Sequence, residues 1–300
     1  MPTSPMPSSP PWLTFRFVVQ PGSLALRARF LAASLRRFAP KDSLLQACMP
    51  ATAELDATTK AAFDRIGVAV TAFEPEIATK YDYPIGNKVE AACLPGGTGR
   101  TLLLDSDIVA VRPFEATELE GAVLGMRTIM ARQVFGPPHR AGIRRFVAKH
   151  VSVASGPALA RLKATPNRAL VGFPVFNSGA VLFAGRDNLA RRFRELTVAV
   201  LEARELDDAV KRPFADQMAL ACLALEHPEC VTVLPEHWNC AINAPVERAT
   251  LWHYFSFTRL AQTPAGRQLI FSLQEEYKPY GINLLGEWSG RDVVHTTRRV

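Results

Sequence analysis

Cysteine is scarce in this sequence, and no two cysteines are spaced as Cys-x-x-Cys. The five that occur are odd in number and scattered, which argues against a disulfide framework or a structural zinc site and favours a reducing compartment. No stretch reaches the ~20 uninterrupted apolar residues that span a bilayer. The Pro- and Ser-rich start, Met1 to Pro11, lacks the positive charge and apolar segment of a secretory signal. We therefore expect a cytoplasmic protein.

Acidic residues are outnumbered by basic ones, and the formal net charge is +7. Basic clusters lie at Arg140 to Lys149 and at Arg186 to Arg194, but no nucleic-acid-binding motif accompanies them, so we expect no nucleic-acid partner. Anionic phosphate substrates explain the charge. Peripheral association with acidic lipids at the inner face of the membrane explains it equally well, as do solvated helix faces.

The first part of the chain alternates between strand and helix patterns. Thr14 to Gln20, Ser43 to Cys48 and Gly67 to Phe73 are predicted strands, whereas Leu24 to Phe38 and Thr58 to Ile66 have apolar residues at helical spacing. This alternation is typical of a parallel, doubly wound α/β sheet.

The stretch from Thr101 to Val111 is predicted to hold the central strand. Its leucines, Leu102 to Leu104, indicate a strand buried on both faces, and Asp105 and Asp107 follow where the apolar run stops. Two neighbouring carboxylates are costly to bury because they lose water and repel each other, and a divalent cation would remove that cost. An ordinary acidic turn after the strand is the alternative.

Further polar residues interrupt apolar elements at five later or flanking places. Lys88 falls in the first turn of a helix predicted for Asn87 to Leu94, with Asn87 as its cap. Asn177, Ser178 and Gly179 interrupt a strand predicted for Gly172 to Phe183, which indicates either a bulge or an amide directed into a site. The others are Asp216 with Gln217 at a helix start, Trp238 with Asn239 in a loop, and His253 on the strand Leu251 to Phe255.

The order of these motifs resembles that of GT-A fold glycosyltransferases, and is most similar to the retaining enzymes of glycosyltransferase family 8. The resemblance implies a GT-A-like (Rossmann-like) α/β fold with a mixed, mostly parallel central sheet flanked by helices. It places a nucleotide-sugar transferase domain at 13–260, after a disordered lead at 1–12 and before a helical or irregular extension at 261–300. An irregular insertion at 127–170 is the candidate acceptor region.

The resemblance also implies roles for individual residues. Asp105, Asp107 and His253 would hold Mn²⁺ or Mg²⁺ against the diphosphate of a nucleotide-sugar, with a UDP-sugar as the family's usual donor. Catalytic roles near the transferred sugar would fall to three residues, Asp216, Gln217 and Asn177. Substrate-binding roles would fall to Lys88, Ser106, Asn177, Ser178, Gly179, Trp238, Asn239 and Arg259.

Two segments depart from the family pattern. The family follows its histidine with a Gly and a Lys-Pro pair whose lysine grips the diphosphate, and here only Arg259 offers a charge after His253. The segment Val19 to Gly22 lacks the usual donor-base residues. The acceptor is therefore unknown, and the donor base rests on the family alone.

Two other functions fit parts of the sequence. A haloacid-dehalogenase-type phosphatase also has an apolar strand ending in Asp-x-Asp, with Asp105 as nucleophile, Asp107 as acid and Asp207-Asp208 as a late acidic pair. That class leaves Asn177 and His253 unexplained. A non-catalytic relative that binds a nucleotide-sugar or a protein is the second alternative, because the segment after His253 is altered.

Overall fold

The computed structural model describes five parts of the chain. The predicted lead, 1–12, and the end of the predicted extension, 287–300, lie outside them, as do 129–138 and 165–170 of the predicted insertion and the start of the strand predicted from Gly172. The described residues are 13–95, 99–128, 139–164, 174–185 and 187–286.

A seven-stranded mixed sheet forms the centre of the structure. Its strands are β1 (Thr14–Val18), β2 (Leu44–Pro50), β3 (Val68–Phe73), β4 (Arg100–Leu104), β6 (Leu124–Thr128), β7 (Phe176–Ala184) and β8 (Val231–Val233), and three short strands described below complete the numbering. The strand order is β3-β2-β1-β4-β7-β6-β8. Only β7 is antiparallel to its neighbours, β4 and β6. The α/β fold with a mostly parallel sheet is confirmed.

Helices cover both faces of this sheet. Those before β4 are α1 (Ser23–Phe38), α2 (Ala57–Ile66), α3 (Glu76–Tyr81) and α4 (Gly86–Ala92). Those after it are α5 (Arg140–His150), α6 (Pro157–Ala164), α7 (Asp187–Glu202), α8 (Asp208–Glu226), α9 (Phe257–Gln262) and α10 (Pro264–Tyr277).

The strand β4 separates two layers of core because its side chains alternate. Leu102 and Leu104 pack with α1 on one face, whereas Leu103 packs with α7 and α8 on the other. All three leucines are fully buried. Their burial on both faces of the sheet confirms the sequence prediction. Polar side chains can therefore be placed only beyond the end of these leucines, at the carboxyl end of β4.

A second, three-stranded sheet lies beyond the end of β4. It consists of β5 (Ile108–Ala110), β9 (Cys240–Ala241) and β10 (Leu251–His253), with β10 in the middle. The strand β10 runs antiparallel to β5, and His253 lies opposite Ile108. This pairing carries His253 to the chain segment that bears the two aspartates.

The structure corrects two details of the helices near the site. Asn87 lies inside α4 rather than capping it, since the residue before the helix is Ile85 and no side chain caps this end. Asp216 lies within α8, which carries Pro213 and departs from helical geometry at Phe214 (φ −141°, ψ 21°). Asp216 and Gln217 therefore follow the kink closely, as a helix start would place them.

The last described helices pack onto the core. Ile270 and Leu273 of α10 belong to the same buried cluster as Phe30 of α1. Among the described residues, the structure contains no helix with both the length and the apolar character needed to span a bilayer.

Candidate active site

A cavity of about 400 Å³ opens at the point where the order of strands in the sheet reverses. The strand β1 pairs with β2 on one side and with β4 on the other. The carboxyl ends of the parallel strands β1 and β4 lie next to each other at this point. Open α/β sheets bind ligands at such switch points. Val18 at the end of β1 and Gln20 just after it lie in the cavity wall, as do Asp105 and Asp107 after β4.

The two aspartates and His253 converge in this cavity. His253 Nε2 lies 3.2 Å from Asp107 Oδ1 and 4.0 Å from Asp105 Oδ2. Backbone hydrogen bonds fix this turn, because the Asp105 N–H donates to the Gly179 carbonyl and the Tyr254 N–H donates to the Asp107 carbonyl. The segment after β4 is thus bound to both β7 and the end of β10.

A chain of amide hydrogen bonds determines which ring nitrogen of His253 carries the proton. The Gly179 backbone N–H donates to Asn177 Oδ1 at 2.7 Å, which fixes that atom as an oxygen. Asn239 Nδ2 donates to the same oxygen, so Asn239 Oδ1 points at His253 Nδ1, 3.0 Å away. An oxygen only accepts here, and Nδ1 therefore carries the proton. This leaves the lone pair of neutral His253 on Nε2, beside the carboxylates.

The imidazole ring of His253 is also held between two close neighbours. A Cβ atom at Gly179 would lie 2.8 Å from His253 Cε1 and 2.9 Å from Asn177 Oδ1, so only glycine fits there. The Phe255 ring stacks on the imidazole with centroids 4.2 Å apart. Phe255 has φ 59°, which is unfavourable for a bulky side chain, and it remains 43% exposed at the cavity.

Lys88 organises the opposite side of the cavity. Its ammonium lies 2.8 Å from Asp105 Oδ1 and 3.0 Å from Asp216 Oδ2, and it also donates to Ser178 Oγ. The Tyr83 hydroxyl donates to Asp216 Oδ1. Lys88 and Asp216 are almost completely buried, so this pair is supported by hydrogen bonds rather than by water.

The pKa shifts follow from these contacts. Burial, together with the neighbouring charge of Asp107, raises the pKa of Asp105 even though Lys88 lies beside it. Burial also acts on Asp107 and Asp216. A His253 ring that carries a proton on Nε2 as well as on Nδ1 donates to Asp107, and together with Arg27 it outweighs burial and lowers the pKa of Asp107. Lys88 lowers the pKa of Asp216 in the same way. The pKa of Lys88 is raised, because its two carboxylate partners outweigh its desolvation. Asp105 is the carboxylate whose charge is least compensated.

Most residues predicted for the site line the cavity, and four do not. The cavity walls include Lys88, Asp105, Ser106, Asp107, Asn177, Ser178, Asp216, Gln217 and His253. Gly179 and Asn239 lie directly behind His253. Trp238 is fully buried and donates to Glu118, and Arg259 is exposed on α9, so neither lines the cavity.

Several residues that line or support the cavity were not predicted as site residues, among them Arg27, Asn87 and Tyr83. Arg27 of α1 and Asn87 line the cavity, and Tyr83 supports Asp216 from behind. Nothing in the sequence separates Arg27 from the arginines around it in an amphipathic helix. The motif around Lys88 could have indicated Asn87, which directly precedes it.

The cluster of Asp105, Asp107 and His253 fits a divalent cation. One ligand atom from each residue lies within 4.8 Å of the others. Adjacent ligands of one small ion lie about 3 Å apart, so a modest contraction would bring the three atoms onto it. Burial is the main cause of the raised pKa of Asp105, because it disfavours the charged form, and a cation held there would stabilise that form.

Comparison with known proteins adds a family to this geometry. The family model described as the Rhodobacterales glycosyltransferase domain matches residues 15–227. The chain belongs to this glycosyltransferase family. The match includes both aspartates and Asp216 but ends before His253. No curated protein sequence matches the chain.

Several solved structures are similar to this one. The galactosyltransferase LgtC with donor and acceptor sugar analogues has a TM-score of 0.53 at 13% identity, covering 89% of this chain and 99% of LgtC. An active-site mutant of LgtC has a TM-score of 0.55 at 11% identity, covering 88% and 95%. The glycosyltransferase GlyE of Streptococcus pneumoniae has a TM-score of 0.50 at 12% identity, covering 90% of this chain and 64% of GlyE. At these identities the likeness shows the fold, which is the GT-A fold.

The family and the fold exclude the phosphatase alternative. Its late acidic pair is also misplaced, because Asp207 precedes α8 and Asp208 begins it, outside the cavity walls. The Asp-x-Asp spacing was shared by two enzyme classes, and the sheet topology separates them.

Proposed function

We propose that this glycosyltransferase moves a sugar from a nucleotide-diphosphate-sugar in a reaction that depends on Mn²⁺ or Mg²⁺. The observation that carries the proposal is the convergence of Asp105, Asp107 and the Nε2 lone pair of His253 at the switch point of the sheet. A divalent cation held there would stabilise the negative charge that develops on the departing nucleoside diphosphate.

The lysine beside this cluster positions it. Lys88 holds Asp105 through Oδ1, which leaves Oδ2 directed toward His253 and the cation position. The ammonium also keeps Asp216 ionised inside the cavity wall. Because Lys88 already has protein acceptors, its role is to preorganise the two carboxylates rather than to grip the donor's phosphates.

Unpartnered amide oxygens support a sugar subsite beside Asp216. Asn87 Oδ1 and Gln217 Oε1 are buried without a hydrogen-bond partner in the described structure, and both residues line the cavity. Sugar hydroxyls are the donors that would satisfy them. The Asp216 carboxylate and these oxygens would also stabilise positive charge at the anomeric carbon as the bond to phosphate breaks.

The likeness to family 8 supports three finer proposals. The reaction retains the anomeric configuration, UDP-sugars are the first donors to test, and the acceptor binds near 127–170. No side chain in this scheme is a strong base, since the departing phosphate takes the acceptor's proton.

Donor hydrolysis tests the proposal. Purified protein is incubated with UDP-glucose, UDP-galactose, UDP-N-acetylglucosamine and GDP-mannose, with Mn²⁺ or with EDTA. We expect release of the nucleoside diphosphate only with metal. Asp107→Asn should lower the rate by about 10²-fold or more, because it removes a charged ligand. Asp64→Asn, on the exposed face of α2, is the matched control and should keep the wild-type rate.

Other outcomes contradict the proposal. Turnover of p-nitrophenyl phosphate without turnover of any nucleotide-sugar would indicate phosphatase chemistry. Nucleotide binding with no turnover by the wild type would indicate the non-catalytic relative. The anomeric configuration of the product, read by proton NMR, tests retention separately.

A further inference from the structure

Three arginines near the start of the chain differ sharply in how their guanidinium groups are bonded. Arg16 of β1 donates to Gln46, to the Ala91 carbonyl and to further carbonyls after it. Arg29 of α1 donates to the Leu284 carbonyl and to Thr59. These two side chains are buried and bonded through several donors, as buried guanidinium groups require.

Arg27, two residues before Arg29, lacks such bonding. Its side chain is 23% exposed, and its only ion pair among the described residues is a long one, 3.8 Å from Nη1 to Asp107 Oδ2. Its Nε is buried and has no hydrogen-bond partner within the part of the chain that the structure describes. A guanidinium has five N–H donors, and leaving them unsatisfied in a partly buried site costs free energy. The group therefore has donors to spare for a ligand.

The position of Arg27 determines what ligand this is. Leu24 and Arg27 are three residues apart on α1, hence on the same helix face, and both line the cavity. The guanidinium lies beside Asp107, so an anion that contacts Arg27 would also lie next to the cation position. A planar guanidinium matches the two oxygens of a phosphate group.

Among the described residues of the cavity wall, no other permanently positive side chain is available to bind a phosphate group. Among the described lining residues, only Arg27 and Lys88 carry such a positive charge, and Lys88 is already bonded to Asp105, Asp216 and Ser178. Arg259, the replacement suggested by the sequence, is exposed on α9 and does not line the cavity.

We propose that Arg27 binds the diphosphate of the donor and takes the part that a lysine after the metal-binding histidine has in family 8. The inference rests on the proposed function, since it assigns a residue to the donor of that same site. In this chain the positive charge that binds the phosphates would therefore lie near the start of α1, whereas in family 8 it follows the metal-binding histidine.

Calorimetric titration tests this assignment with probes of known composition. Inorganic pyrophosphate with Mn²⁺ reports on the diphosphate subsite without a base, and UDP, GDP, ADP and CDP with Mn²⁺ report on the whole donor site. Arg27→Gln should weaken pyrophosphate and nucleoside diphosphate binding on the order of ten- to a hundredfold, as the loss of charge-assisted hydrogen bonds predicts. Arg27→Lys should recover part of the loss. Arg144→Gln, an exposed arginine of α5, is the control for net charge.

Binding of Mn²⁺ alone, followed by the electron paramagnetic resonance of free Mn²⁺, separates this role from a structural one. Removing a positive charge 3.8 Å from Asp107 should leave Mn²⁺ affinity unchanged or increase it. A variant that loses both Mn²⁺ and pyrophosphate affinity would show that Arg27 acts through the fold, and would overturn the inference.

The remaining outcomes distinguish the two proposals. If the wild type binds neither pyrophosphate nor any nucleoside diphosphate in Mn²⁺, the proposed function fails. If the wild type binds them and Arg27→Gln binds within twofold of it, the proposed function stands and the assignment of Arg27 is wrong. The assignment is equally wrong if Arg259→Gln weakens binding and Arg27→Gln does not.

Discussion

The two sides of the cavity are built in opposite ways. The lysine side consists of Lys88, Asp105, Asp216, Ser178 and Tyr83, where each charge has a close partner of opposite sign or a hydrogen-bond donor. The arginine side consists of Arg27, Asp107, His253 and Phe255. There the guanidinium Nε has no hydrogen-bond partner among the described residues, and the aromatic ring of Phe255 is exposed with an unfavourable backbone conformation.

This difference indicates what each side contributes. The lysine side is preorganised by the protein alone, so its charges are in place before any ligand arrives. On the arginine side, the unpartnered donor of Arg27 and the exposed ring of Phe255 lower stability, and under the proposed function these groups are the ones available to a ligand. The charged groups of the lysine side thus have close partners, whereas the guanidinium of the arginine side has a buried donor without a partner among the described residues.

The largest effect is expected from removing the ammonium of the lysine side. Lys88→Met should lower the free energy of unfolding by about 3–5 kcal/mol, because it leaves buried carboxylates without their counter-charge. Urea unfolding measures it. Lys60→Met, which breaks the exposed pair with Glu54, should cost under about 1 kcal/mol.

A second variant tests whether the cost comes from the unpaired charge. Adding Asp216→Asn to Lys88→Met removes one of the two stranded carboxylates and should restore part of the stability. If Lys88→Met unfolds like the Lys60→Met control, the lysine side is not preorganised by this ammonium, and the contrast between the two sides fails.

A smaller effect is expected from the amide chain behind His253. Asn239→Ala should weaken Mn²⁺ binding about 10- to 100-fold, since it removes the acceptor that keeps the His253 proton on Nδ1. Paramagnetic resonance of free Mn²⁺ measures the affinity. Long-range proton–nitrogen NMR of the metal-free protein should show the proton on Nδ1 in the wild type and a mixture of tautomers in the variant.

The exposed Asn243 supplies the matched control. Asn243→Ala should change neither the Mn²⁺ affinity nor the tautomer. Wild-type Mn²⁺ affinity in Asn239→Ala would contradict the role assigned to the amide chain.

The lysine side was more accessible from the sequence than the arginine side. Lys88, Asp105 and Asp216 each have an ordinary explanation when taken alone, and it was the order of these motifs along the chain that indicated a site. His253 was found in the same way, on a strand of otherwise apolar residues. The alternation of β1, α1, β2, α2 and β3 likewise follows from periodicity alone.

Arg27 and Phe255 could not be found in this way. An arginine in an amphipathic helix has the same pattern whether it faces water or a cavity, and only the packing of α1 beside β5 shows which it does. The left-handed conformation of Phe255 is set by the turn from β10 into α9, not by its own preference. The sequence predicted a mixed sheet but did not show that β7 is its antiparallel strand, because the residues between β4 and β7 have little periodicity.

The smallest expected effect concerns the strain at Phe255. Phe255→Gly should be about 1 kcal/mol more stable than Phe255→Ala, because only glycine adopts φ 59° without steric cost. Phe271, which is 62% exposed within α10, is the matched control with the opposite sign, since Phe271→Ala should be about 1 kcal/mol more stable than Phe271→Gly. Equal stability of the two Phe255 variants would show that the backbone at residue 255 is not strained. The contrast between the two sides would then rest on Arg27 alone.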